Sequence, residues 1–184
     1  MHSATHRALR ELAASGRLLA HRWRRLAERV PDAREPLRTG AEDAEAMVDA
    51  VAALAGDRDV PVGQSAQGVG ASLGIGLARI GEPFLERNQA LRTAVLDAHH
   101  TTVLLHYAER LARSEADEEL AAACHDWAHR LVASEGAVRE AALALGDDPD
   151  AAVAPVDDTP VGRAAHGVAV GVGAAGEWVD RRLV

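Results

Sequence analysis

PVGQSAQGVGASLGIGLARIGE (Pro61 to Glu82) and PVGRAAHGVAVGVGAAGE (Pro160 to Glu177) are two copies of one pattern. Both open with Pro-Val-Gly. Both carry Ala and then Gly-Val at the same offsets, Ala66, Gly68 and Val69 against Ala165, Gly167 and Val168. Both close on Gly-Glu once the second copy is allowed a four-residue deletion. A repeat period near a hundred residues is too long for a solenoid, so it points to a duplicated structural unit. The match extends upstream. Residues 46–57 align without gaps on 136–147, pairing Val48 with Val138, Ala52 with Ala142, Gly56 with Gly146 and Asp57 with Asp147. On this register Glu45 falls on Glu135 and Glu42 on Val132.

Four amphipathic helices surround these copies. Leu9, Leu12, Gly16, Leu19, Trp23, Leu26 and Val30 alternate spacings of three and four, a seam for packing against other helices. Pro31 ends this first helix. The second runs from about Pro36 to Ala55, with Leu37, Ala41, Ala44, Val48, Val51 and Ala55 on its seam and Glu42, Glu45 and Asp49 beside it. The third runs from about Pro83 to Ser114, its seam Leu91, Val95, Ala98, Thr102, Leu105 and Ala112, with Glu109 at a seam position. The fourth spans about Asp117 to Leu145. Ala121, Cys124, Ala128, Leu131, Val138, Ala142 and Leu145 form its seam, and Glu135 stands in the middle of it. An Ala/Asp/Pro-rich linker then leads to Thr159-Pro160, a cap and first-turn proline that open the last helix.

The expected fold is therefore all-α: a single domain of two duplicated helix pairs forming a four-helix bundle, with a Gly-rich accessory helix closing each half (about 4–82 and 83–182). The composition agrees. Apolar residues make up 48% of the 184, but aromatics only 3%, so the core is Ala, Leu and Val, which suits close helix packing better than strands. In the first Gly-rich copy, Ala66, Gly70, Gly74 and Ala78 form a row of small residues, with Val69, Leu73, Leu77 and Ile80 beside it. Each glycine costs up to about 1 kcal/mol of helix propensity relative to Ala, so this density points to close packing or lipid contact. Trp178 beside Arg181 and Arg182 is the kind of group that sits at a protein or bilayer interface.

The net charge of −8 argues against nucleic-acid binding, although residues 1–30 hold seven Arg against two Glu. The single Cys124 excludes an internal disulfide or a cysteine zinc cluster. With no apolar leader and no long apolar run, the expected setting is cytoplasmic, with peripheral membrane contact open. No Walker loop, nucleophile elbow or H-E-x-x-H zinc motif is present.

Candidate ligands stand at helical spacings. His125 and His129 share a face one turn apart. Asp97 with His100, and His106 with Glu109, are also pairs on one face, and with Glu135 they could line a polar pocket. The plainer reading is ion pairing at i,i+4, Glu109 with Arg113 and Glu135 with Arg139. On its place in the seam, Cys124 reads as packing rather than a nucleophile.

The duplicated helix pairs resemble the ferritin-like superfamily. The Pro-started, Gly- and Ala-rich stretch before a long third helix, with a related helix closing the chain, resembles the demethoxyubiquinone hydroxylase family. That resemblance implies a di-iron site oxidising a quinone ring at a membrane surface. It implies ligands from a Glu on the first and third helices and Glu-x-x-His on the second and fourth. Carried onto this chain, these positions are Glu11, Glu42 followed by Glu45 where the His belongs, Asp97, and Val132 followed by Glu135. Both motif histidines and one bridging carboxylate are missing, which implies a degraded or remodelled iron or manganese site. The expected roles are then a non-catalytic or weakly metal-binding protein that contacts a membrane or an apolar, isoprenoid-like ligand, an active metal oxidoreductase, or a homo-oligomeric structural module. Ser72-Leu73-Gly74-Ile75-Gly76 is also similar to an encapsulin cargo-loading tag, but such tags sit on C-terminal tails and this stretch belongs to the internal repeat.

Overall fold

The computed structural model describes residues 1–62 and 84–183. Within them every regular element is a helix. The long helices are α1 (Ser3–Arg29), α2 (Arg34–Gly56), α3 (Arg87–Ser114) and α4 (Glu118–Ala144). A short α5 (Pro149–Val153) and a C-terminal α6 (Pro160–Leu183) follow. The first Gly-rich copy from residue 63 onward, with Val69, Leu73, Leu77 and Ile80, lies outside the described residues. No helix among the described residues is long and apolar enough to cross a membrane.

Start and stop signals set the helix bounds. The His2 ring accepts the Ala4 N–H and caps α1. Pro31 closes α1 through a single 3₁₀ turn, Pro31–Ala33. Glu86 and Gln89 form a reciprocal capping box at the start of α3. This places the start of α3 at Arg87 rather than at the expected Pro83. Asp117 caps α4 by accepting the Leu120 N–H. Only Glu115 to Asp117 separate α3 from α4, and Ala116 takes a left-handed φ of 58° to make that turn. The Ala/Asp/Pro linker contains α5 because Asp148 caps it and Pro149 occupies its first turn.

The seam residues pack as their spacing predicts. Leu9, Leu12, Leu19, Trp23, Leu26 and Val30 of the first seam are buried, as are Leu37, Ala41, Ala44, Val51 and Ala55 of α2. In α4, Cys124, Ala128, Leu131 and Val138 are buried with Glu135 among them. On α3 the buried position is Ala94, and Val95 beside it is only half-buried.

Two glycines let helices approach closely. A Cβ on Gly40 would overlap the Trp23 ring, so α2 lies directly on the indole. A Cβ on Gly16 would stand 2.6 Å from Val48 Cγ2, so α1 and α2 meet there at small-residue distance. Trp23 completes the junction by donating Nε1–H to the Ala94 carbonyl of α3 at 3.2 Å.

Specific pairs fix the helix directions. Gly16 meets Val48 and Trp23 meets Gly40, so α1 and α2 are antiparallel. Thr5 reaches Glu115 and Arg22 reaches Asp97, so α1 and α3 are antiparallel. Ser134 donates to Asp43 at 2.8 Å and Arg58 clamps Asp117, so α2 and α4 are antiparallel. His125 meets Glu109 and His99 meets Glu135, so α3 and α4 are antiparallel too. It follows that α2 and α3 run the same way. The end of α2 and the start of α3 therefore lie at opposite ends of the molecule.

Candidate functional site

The polar groups of α3 and α4 gather at two stations along their shared groove. The first centres on Glu109, only 7% exposed although it is a carboxylate. His106 Nδ1 lies 3.2 Å from its Oε2, and His125 Nδ1, from α4, 3.2 Å from its Oε1. Arg113 Nη2 lies 2.7 Å from the same Oε1. A carboxylate this enclosed must be paired, and it is, on both oxygens. Burial works to raise the Glu109 pKa. The His106 hydrogen bond, Arg113 and His125 outweigh it and hold the carboxyl below its usual range. His129 extends the station, its ring edge-on to His125 with centroids 4.6 Å apart.

The second station centres on Glu135, also 7% exposed. Arg139 lies 3.2 Å from its Oε1 and His99, from α3, 3.8 Å from its Oε2. Positions 99 and 109 of α3 are ten residues apart, so at about 1.5 Å per residue the stations stand roughly 15 Å apart. Glu109 and Glu135 do not share a pocket.

The remaining candidates are dispersed. Glu11 is exposed on α1 and His100 is exposed on α3. Glu42 is exposed and pairs with Arg38 at 3.7 Å. Glu45 pairs with Arg24 across α1 and α2. Asp97 pairs with Arg22 at 2.6 Å, and its burial raises its pKa more than Arg22 lowers it. Val132, at the position of a bridging Glu, is exposed on the outside of α4.

A di-iron centre needs several carboxylates turned toward one another in the middle of four helices. Here the mapped carboxylates are each held by an arginine or left in solvent, and Leu, Ala and Val fill the centre. The residues present do not fit that centre. Among the described residues no group of three or more His, Cys, Asp or Glu side chains is set to hold a metal ion.

Cys124 lies in the core of α4 beside this groove, and burial pushes its thiol up to about 12. At neutral pH it is a protonated packing group rather than a nucleophile.

Sequence spacing finds the i,i+3 and i,i+4 partners of Glu109 and Glu135. It misses what comes from another helix: Arg22 on Asp97, His125 on Glu109, and the cleft of about 470 Å³ between α1 and α2 lined by Arg17, His21, Arg24 and Glu45.

Helix α6 offers a different surface. Val161, Val168 and Val172 recur at helical spacing along one side and are 79%, 63% and 68% exposed. Trp178 is exposed on the same helix, with the Arg182 guanidinium stacked 3.9 Å from its ring centroid.

Comparison with protein-family models, with curated proteins and with solved structures returns no match for this chain.

Proposed function

We propose that this chain is a ferritin-like four-helix bundle of the demethoxyubiquinone hydroxylase type that works without catalysis, using its C-terminal helix to contact a membrane surface or an isoprenoid-like molecule within it. The chain path supports the fold. All four neighbouring helix pairs are antiparallel while α2 and α3 run parallel, the arrangement of ferritin-like folds with one long crossover. The dispersed carboxylates support the loss of chemistry.

The observation that carries the membrane role is the open valine stripe of α6. The equivalent seams of α1 to α4 are buried, and this one is not. A helix with an apolar stripe, an amphipathic Trp and terminal arginines suits the plane of a headgroup layer, where apolar burial and attraction to anionic lipid add.

Vesicle flotation tests this reading, with and without anionic lipid. The full chain is expected to float with the vesicles, more completely when anionic lipid is present. Val168→Asp with Val172→Asp should leave it in the dense fraction with its helical circular dichroism unchanged. Failure of the unmodified chain to float would remove the membrane role. Two iron or manganese ions per chain after reconstitution would remove the non-catalytic one.

A further inference from the structure

From the geometry of the α3–α4 groove, we infer that His125 and His129 form a two-imidazole site for a divalent transition cation, with Glu109 as the carboxylate that orients the first ligand. The site is separate from the membrane reading, since it lies on α4 and that surface lies on α6.

Three features meet here. His125 and His129 are one helical turn apart with ring centroids 4.6 Å apart, so one ion can reach both. His125 directs Nδ1 at the Glu109 carboxylate at 3.2 Å. A carboxylate acceptor there places the ring proton on Nδ1 and leaves the Nε2 lone pair for a metal, the carboxylate–histidine–metal arrangement. The site is also open: His125 is about half exposed and His129 is exposed. His106 and Arg113 hold the Glu109 carboxylate in place beside His125.

Imidazole pairs suit Zn²⁺, Ni²⁺ and Cu²⁺, with Cu²⁺ bound most tightly. Water completes the coordination, as befits an exposed two-ligand site.

Calorimetric titration of tag-free protein with Zn²⁺ and Cu²⁺ at neutral pH tests this. One ion should bind per chain, Cu²⁺ more tightly than Zn²⁺. His129→Ala lies on the surface and leaves the fold intact, and it should abolish that binding. Glu109→Gln should weaken it about 10- to 100-fold, the usual effect of removing a ligand's carboxylate partner. His6→Ala removes half of the chain's other i,i+4 histidine pair, His2 and His6, and should change nothing. Binding that survives His129→Ala, or that is lost in His6→Ala, would overturn the site. Glu109→Gln binding as tightly as the unmodified chain would overturn the orienting role.

Discussion

The α1–α2 pair and the α3–α4 pair share a sequence pattern but close by different means. The first is sealed by apolar contact at small-residue distance, with Trp23 lying on Gly40 and Gly16 meeting Val48. The second carries two carboxylates in its seam, and each finds a histidine across the groove and an arginine one turn along its own helix. The aligned positions Glu45 and Glu135 show the divergence most plainly. Glu45 sits beside its seam, paired with Arg24, whereas Glu135 is inside the groove. Packing depends on shape and tolerates little change in volume. A rim of paired charges depends on partners that can also be satisfied by water. The two halves should therefore answer substitution differently.

The largest effect is expected from Trp23→Ala, which empties a fully buried position where three helices meet. It should cost about 3–5 kcal/mol in denaturant unfolding. Gly40→Ala tests the same junction from the other side. A Cβ overlapping a fully buried indole fixed by its Nε1–H bond should cost about 1–3 kcal/mol, despite the better helix propensity of Ala. A stable Gly40→Ala protein would mean that the first pair is looser than its contacts indicate.

The link between the pairs comes next. Arg58 clamps the Asp117 carboxylate with Nε at 2.6 Å and Nη2 at 2.7 Å. The Arg58 hydrogen bond holds the Asp117 pKa below its usual range. A depressed folded-state pKa gives stability that is full above the unfolded value, near 4, and lost as pH falls through the folded value. Asp117→Asn should cost about 1–2 kcal/mol at neutral pH. Its deficit should shrink as the unmodified chain is titrated below about pH 4, which paired melts across pH would show.

The smallest effect is expected from Glu135→Leu. Its partners Arg139 and His99 are more than half exposed and can rehydrate, so the change should stay within about 1 kcal/mol of neutral in either direction. A loss of several kcal/mol would show that the second pair is held by its charges after all.

These predictions also mark how much was legible in the sequence. The four long helices and nearly all of their seams follow from 3–4 spacing, because that period maps directly onto one face of a helix. The local half of each station follows too, since Arg113 and Arg139 lie one turn from their glutamates. The other half required the α3–α4 register, and nothing local encodes that His125 reaches Glu109 or that His99 reaches Glu135. The role of Gly40 was hidden for the same reason: its lack of a Cβ matters only once Trp23 is placed against it. The short α5 looked like linker because its sequence, Pro-Asp-Ala-Ala-Val, is too brief to show a period. The resemblance-based ligands were legible as positions, but their surroundings were not, and it is the arginine or the solvent beside each carboxylate that decides its role.

The lone Cys124 makes opening of the bundle core readable in real time. Its thiol is 1% exposed among Ala128, Leu131 and Leu105 in the core, and its pKa near 12 leaves almost no thiolate at neutral pH. A disulfide-forming dye can therefore react only when the core around α4 opens. The labelling rate under native conditions then counts openings of that shared core.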